Sequence, residues 1–315
     1  MWKFILRRLA LGVITLLILS VIVFFGAQVL PGNPARAILG NLASQNAVNA
    51  LSHQLGTDKP LISQYLSWLG GVVHGDFGES YSYQQPVSTL LWPALRSSLE
   101  LAALAFVIVV PLGIGGGVLA ALNYGKPLDR ILSIFGLTAT VIPELVSATV
   151  LILVLGLWLS ILPISASGAS GFGDTIYHLI MPALPLVLIL FGYIQQMARA
   201  GTVEALHSDY ARTAVLKGLP RRTVITRHVL RNSLLPTITV IASQIGYLIG
   251  GLVLVETVFH WNGIGSLIYN AANKKDFPVL EGAILIIGLF YVLATLVADV
   301  LFRLLNPRIR YRGTT

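Results

Sequence analysis

Ser208 to Pro236 reads SDYARTAVLKGLPRRTVITRHVLRNSLLP, a basic segment set between two long apolar runs. Ser208 or Asp209 is suited to cap a short helix over Tyr210 to Lys217, Gly218 to end it, and Pro220 to prevent simple continuation. A second helical stretch, Arg221 to Asn232, then leads into the next apolar run. Seven Lys/Arg lie from Arg199 to Arg231. Two readings stand: an ordinary basic loop that sets topology, or a docking surface for a cytoplasmic partner. A compact helix tethered on both sides can pass force from a moving partner into its flanking helices, which a loose loop cannot.

Composition sets the class around this segment. Of 315 residues 55% are hydrophobic and 11% charged, and mean hydropathy is +0.80, far more apolar than a soluble core requires. The chain reads as an all-α integral membrane protein. Its net charge of +8 is interleaved between apolar spans, which points to topology and away from nucleic acid. There are no cysteines, which excludes disulfides, thiolate metal sites and cysteine nucleophiles.

Charge-free runs mark six spans. Leu9 to Ala35, Leu101 to Gly125, Thr175 to Ala198 and Asn232 to Val255 each exceed the roughly 20 residues that cross a bilayer. Ile131 to about Leu159 is interrupted only by Glu144, and Gly282 to Ala298 continues towards Phe302 past Asp299. Gly and Pro clusters at Pro31 to Pro34, Ser165 to Gly173 and Asn262 to Gly265 punctuate them. Lys3, Arg7 and Arg8 before the first run, with Ala35-Arg36-Ala37 after it, also suit a signal peptide; the run is longer than an h-region of about 7–15 residues, so a transmembrane helix is expected.

Basic-residue asymmetry orients the chain. With the N-terminus inside, the cytoplasmic side collects Lys3, Arg7, Arg8, Lys126, Arg130, the seven of the loop, Arg303, Arg308, Arg310 and Arg312. Of 21 Lys/Arg this leaves only Arg36, Lys59, Arg96, Lys274 and Lys275 outside. Both termini are then cytoplasmic. The expected division is residues 1–30 as the first transmembrane helix, 31–98 as an extracytoplasmic loop or lobe, and 99–315 as a five-helix domain with its cytoplasmic loop at about 199–231. Within 31–98, Asp58 is suited to cap a helix entered through Lys59 and Pro60, with Ile62, Tyr65, Leu66, Leu69 and Val73 at helical spacing. That helix lies on the membrane surface or packs in a small external lobe, a face open to a soluble partner or closed as a lid.

Asp209-Tyr-Ala-Arg-Thr-Ala-Val-Leu-Lys-Gly218, followed by Arg227-His-Val-Leu-Arg-Asn-Ser-Leu-Leu-Pro236, resembles the coupling loop of permease subunits of ABC importers, in the dipeptide and oligopeptide branch. In the superfamily pattern Glu-Ala-Ala with a following Gly, Arg212, Thr213 and Ala214 take the first three places and Gly218 the fourth. The chain departs from it at Arg212 and Thr213, and has Leu230-Arg231 where Leu-Pro is general, with Leu235-Pro236 five residues on, differences similar to those of the peptide branch. Leu30 to Pro34, Leu55 to Pro60, Gln64-Tyr65, Gly75-Asp-Phe-Gly-Glu-Ser80, Val255-Glu-Thr-Val-Phe259 with Gly263-Ile-Gly265, and Asn306 to Arg310 are similar to the same branch in order and spacing, so the resemblance covers nearly the whole chain.

The resemblance implies a type I importer permease of six transmembrane helices in a bacterial or archaeal cell membrane, with a large external loop after the first helix. It implies pairing with a second, related permease, two cytoplasmic ATPase subunits on the coupling loops, and an extracytoplasmic binding protein that delivers a peptide or another small cargo such as a nickel chelate or glutathione. Asp209, Tyr210, Arg212, Thr213, Ala214, Lys217 and Gly218 are the expected coupling residues. The chain shows no ATP site of its own: Gly125-Lys126-Pro127 lacks the upstream Gly, which is Ala120, and the Ser/Thr after Lys. No catalytic, metal or cofactor constellation is evident, and the six histidines are scattered.

The competing reading is a gradient-driven transporter, which places ionisable groups mid-membrane. Glu144, after Pro143, is the candidate there; a carboxylate at a helix centre costs about 2.5–3.5 kcal/mol unless it faces water or a partner. Glu144 and Gln244 are the expected residues of the translocation path, against the plainer readings of an interfacial carboxylate and an interhelical hydrogen bond. Asp299 has Arg303 at i+4. Gly246, Gly250 and Gly251, and Gly113, Gly115, Gly116 and Gly117, permit close helix approach, within the chain or against a second permease.

Overall fold

The computed structural model describes residues 2–29, 34–40 and 42–305. Helix α1 spans Trp2–Val29; α2 (Pro34–Leu39), α3 (Gln45–Leu55) and α4 (Leu61–Val73) follow; α5 is Val87–Leu122, α6 Pro127–Val141 and α7 Glu144–Leu151, which widens into a π-helix over Ile152–Trp158. Helix α8 is Phe172–Leu206, α9 Asp209–Leu216 and α10 the single turn Arg221–Thr223; α10 passes through a π-helix at Val224–Val229 into α11, Leu230–Val258. Helices α12 (Ile264–Lys274) and α13 (Phe277–Leu305) complete the described fold. Among the described residues the only β pairing is an isolated bridge, Glu79 to Pro86. The clusters at Pro31 to Asn33 and Asn306 to Arg310, with Arg308, Arg310 and Arg312, lie outside the described residues.

Four helices are long and apolar enough to cross a bilayer unbroken: Trp2–Gln28, Val87–Leu122, Phe172–Leu206 and Phe277–Val300. Six result if Pro127–Val141 with Glu144–Trp158, and Arg221–Leu248 with Gly250–Val258, each count as one. The expected third span is therefore not straight, since α6 and α7 meet at 109°. Pro143 lacks an N–H, and Ile142 before it is extended at φ −70°, ψ 122°, the conformation a following proline favours. Helix α5 starts well before Leu101, so part of the expected loop 31–98 is already helical; a charge-free run finds the apolar window and not the helix that extends beyond it. Asp58 is not the cap of α4. Pro60 occupies that position with no side-chain bond, and the Asp58 carboxylate lies 4.0 Å from His53 Nε2.

The chain forms two compact units, residues 1–99 with 252–293 and residues 100–251 with 294–315. In the first, Val87, Leu91 and Leu95 of α5 pack with Ile264 and Ala271 of α12 and with Val279, Leu280 and Ala283 of α13. Helix α4 lies on α1 through Phe24, Tyr65 and Trp68, with ring centroids 5.5–6.2 Å apart and a 2.9 Å bond between the Ser20 and Tyr65 hydroxyls. In the second unit α8 is the centre: 56% of its most apolar stretch is buried, against 28% for α5. Glycines bring α5 onto it. A Cβ at Gly113 would sit 2.7 Å from Ile194, and one at Gly117 2.5 Å from the Gln195 carbonyl oxygen, so these glycines serve packing within the chain. Gly115 and Gly250 meet nothing within 4 Å.

Candidate functional site

Helix α9 is built as its residues dictate. Ser208 is the N-cap, its Oγ accepting from Ala211 N at 3.4 Å, while Lys217 closes the helix and Gly218 turns out at φ +75°, a region that favours glycine. Leu219 N donates to the Ala214 carbonyl at 3.3 Å. Pro220, at φ −63°, then opens α10. Ala211 and Ala214 are buried with Ala205, Val224 and Val229 in a small separate core. Alanines at i and i+3 let α9 lie close against α8 and the π-helical turn, and none of these side chains loses much rotamer freedom.

The opposite face of α9 is exposed. Asp209, Tyr210, Arg212, Thr213, Lys217 and Gly218 lie on the surface, so of the seven expected coupling residues six are accessible and Ala214 acts by packing. Val215 and Leu216 are 61% and 80% exposed beside them. Residues of α8, α9, α10, the π-helical turn and the loop between α9 and α10 line an open recess of about 600 Å³, walled by Val215, Leu219 and Ile225 with Arg212 and Arg221. An apolar floor with basic groups around it suits a protein surface that offers apolar and acidic side chains.

The tethers of this helix are joined to each other and to α6. Thr202 of α8 donates from Oγ1 to Ser233 Oγ of α11 at 3.3 Å, and a Cβ at Gly201 would sit 2.5 Å from the Ser233 carbonyl oxygen. Before the cap, Arg199 of α8 grips Asp129 of α6 through Nε at 2.5 Å and a second guanidinium nitrogen at 2.9 Å. Asp129 also accepts from Gly125 N at 2.9 Å, which ties the Gly125-Lys126-Pro127 turn back onto the first turn of α6. Arg199 stacks over Tyr124 at 5.4 Å. A bidentate, partly buried pair fixes geometry as well as charge, and Asp129 and Arg199 were legible in the sequence only as two charges near a turn.

The two expected path residues are both buried, Glu144 at 8% and Gln244 at 9% exposure. No hydrogen bond joins them among the described residues. Glu144 packs on Gly251 of α11, where a Cβ would collide with the carboxylate, so Gly251 admits the side chain. Gln244, Tyr247 and Gly251 share one face of α11 by their spacing, and the Tyr247 ring lies 6.4 Å from that of Tyr193.

Two further carboxylates organise the first unit. Glu256 accepts from Ser98 Oγ at 2.5 Å, Gly265 N at 2.8 Å and Ser266 N at 3.2 Å, while Ser98 Oγ accepts from Ile264 N at 2.8 Å. The free N–H groups that begin α12 are thus satisfied. A Cβ at Gly263 would strike that carboxylate and one at Gly265 would lie 2.5 Å from Val253 Cα, which explains glycine at both positions. Asp276 does the same for the turn before α5, accepting from Ser80 Oγ at 2.5 Å, Tyr81 N at 3.1 Å and Ser82 N at 3.0 Å. The sequence held the signal for Glu256 in its distance from the Gly-Ile-Gly turn.

Residues 113–311 match the family described as binding-protein-dependent transport system inner membrane component, and residues 1–102 match the N-terminal family of such membrane components. The chain is 34% identical over 338 residues to the dipeptide transport system permease protein DppB of Escherichia coli K12, covering 99% of this chain and 100% of that one. It is 35% identical over 313 residues to the glutathione transport system permease protein GsiC of Shigella dysenteriae, with the same coverage of 99% and 100%.

Proposed function

We propose a function that starts from membership: the chain belongs to the family of inner-membrane components of binding-protein-dependent transport systems, the permease subunits of ABC importers. Such a subunit is a multi-pass protein of the bacterial inner membrane, and ATP hydrolysis lies with partner subunits. On this footing the chain is half of the translocation path of an importer for dipeptides and oligopeptides, paired with a second related permease, two ATPases and an extracytoplasmic binding protein. Glutathione is the runner-up cargo, since a permease named for it is as similar as the dipeptide one.

The observation that carries this reading is α9, a capped helix with a basic and apolar outer face, seated on a small core and tethered to α8 and α11. ATP binding closes the two ATPases; their closed state contacts Tyr210, Arg212, Thr213, Asp209, Lys217 and Gly218 differently from the open one. That difference shifts the helices between inward- and outward-facing arrangements. In this arrangement residues 31–98 face outside, the loop 199–231 and both termini face the cytoplasm, and Glu144 and Gln244 border the path.

The test is uptake of a labelled peptide library into proteoliposomes containing the full complex, with ATP on the ATPase side and with or without an uncoupler. Uptake should need ATP and the binding protein and persist with the uncoupler. Gly218→Val places a β-branched residue at positive φ and should abolish uptake with insertion intact; Arg212→Glu should weaken ATPase co-purification about ten-fold. Uptake that stops with the uncoupler yet persists without ATP overturns the importer in favour of a gradient-driven transporter, and normal uptake by both variants removes α9 from the coupling role.

A further inference from the structure

Three segments singled out in the sequence have no part in coupling: Leu55 to Pro60, Gln64-Tyr65 and Gly75 to Ser80. In the first unit they converge on one partly open cavity of about 390 Å³, bordered also by α1 and the start of α13. This volume lies in the range of small-ligand sites, about 300–1,000 Å³. Its lining combines Glu281, Asp76, Tyr81 and Lys59 with the rings of Phe24 and Trp68.

Glu281 is 4% exposed, yet among the described residues nothing donates a hydrogen bond to it and no cation pairs with it, Lys59 included. Every other strongly buried carboxylate of this unit, Glu256 and Asp276, has three donors. A carboxylate taken from water without a partner is strongly disfavoured, so this one calls for a proton or a cation from outside the chain. The surroundings favour a cation. A second carboxylate, Asp76, lines the same cavity, and aromatic faces attract an ammonium group. The buried indole Nε1 of Trp68 is also without a hydrogen-bond partner among the described residues.

A further hollow, of about 250 Å³, lies on the same helices α1, α4 and α13 and shares Phe77 with the first. Its wall is hydrocarbon, with Leu16, Leu17, Leu69, Val72, Leu285 and Leu289. Carboxylate and aromatic rings, a lysine, and an adjoining apolar slot together match a zwitterion that carries an alkyl chain. We propose that this unit holds one phospholipid with a primary ammonium headgroup: the ammonium against Glu281, the phosphate towards Lys59, and an acyl chain in the slot beyond Phe77. Phosphatidylglycerol lacks the ammonium group Glu281 needs, and a free peptide leaves the slot empty.

Native mass spectrometry of the full-length chain in mild detergent tests this, with phosphatidylethanolamine, phosphatidylglycerol and phosphatidylcholine of identical acyl chains, and with soluble phosphoethanolamine and glycylglycine as free amines. Phosphatidylethanolamine should be retained about ten-fold over phosphatidylglycerol. That retention should fall about five-fold or more in Glu281→Gln and in Leu69→Trp, which fills the slot without touching the carboxylate. Equal retention of the two lipids overturns the proposal, as does undiminished phosphatidylethanolamine binding by Glu281→Gln. Binding of phosphoethanolamine or glycylglycine that depends on Glu281 while the lipids do not bind assigns the cavity to a free amine and equally overturns it. If Glu281→Gln fails to accumulate, Leu69→Trp and Lys59→Glu decide: full lipid retention by both removes the site.

Discussion

Glu256 and Glu281 sit in the same compact unit, are both almost wholly buried, and have opposite surroundings. Three donors converge on Glu256, which ties α11 to the N-terminal third of α5 and the start of α12. Glu281 borders a cavity and receives none among the described residues. Burial alone therefore says little about what a carboxylate in a membrane protein does. A saturated one is a structural joint whose removal strands its donors, whereas an unsaturated one leaves a demand that something outside the chain can meet.

Glu256→Ala is the most severe way to probe this difference. It leaves Ser98, Gly265 N and Ser266 N without an acceptor at about 1–3 kcal/mol each, so a loss of about 3 kcal/mol or more is expected, read as a sharp drop in the thermal midpoint of the purified chain or failure to accumulate. Glu256→Gln keeps the shape but turns one acceptor into a donor, and should cost about 1–2 kcal/mol. A midpoint unchanged in both variants would remove the distinction.

A pH titration sharpens it from the other carboxylate's side. The Tyr81 phenol ionises near pH 10 in the unfolded chain and at about 12 in the folded one. Between those values the unfolded state binds fewer protons, so stability is fully present below pH 10 and falls as pH rises through the window. Tyr81→Phe should flatten that part of the alkaline profile; an identical profile in the variant would show that the phenol does not sense the cavity. The smallest effect is expected for Glu281→Gln without lipid, within about 0.5 kcal/mol of the parent or on the stable side, because no hydrogen bond is lost. A loss as large as that of Glu256→Gln would mean that Glu281 has donors of its own.

The all-α class and the short capped helix with Gly218 at its end were legible because they rest on local rules: charge-free length, a capping hydroxyl, a residue tolerant of positive φ. What escaped was set by distant residues. The break at Ile142-Pro143 could be read as a proline in an apolar run, but its 109° angle depends on how α6 and α7 each pack on α8. Helix α12 was hidden in the interval between spans because its N-terminus is capped by Glu256 from another helix. The grip of Arg199 on Asp129, 70 residues apart, reads in sequence as two ordinary loop charges. Likewise Ala214 belongs to the motif expected to take part in coupling, yet only its burial beside Val224 and Val229 separates a residue that holds the helix from one that offers it.

The π-helical turn at Val224–Val229 sets the kind of motion that α11 can make. A π turn holds more residues than an α turn, so conversion to regular α-helix would advance the chain beyond it by about one residue, a twist of about 100° with a shift of about 1.5 Å. Seen from Gln244 and Gly251 this is a change of azimuth with hardly any change of depth. On the coupling role proposed for α9, a push on that helix would turn a helix face, as a key turns in a lock, and a disulfide engineered across that turn would freeze the azimuth while leaving every other joint free.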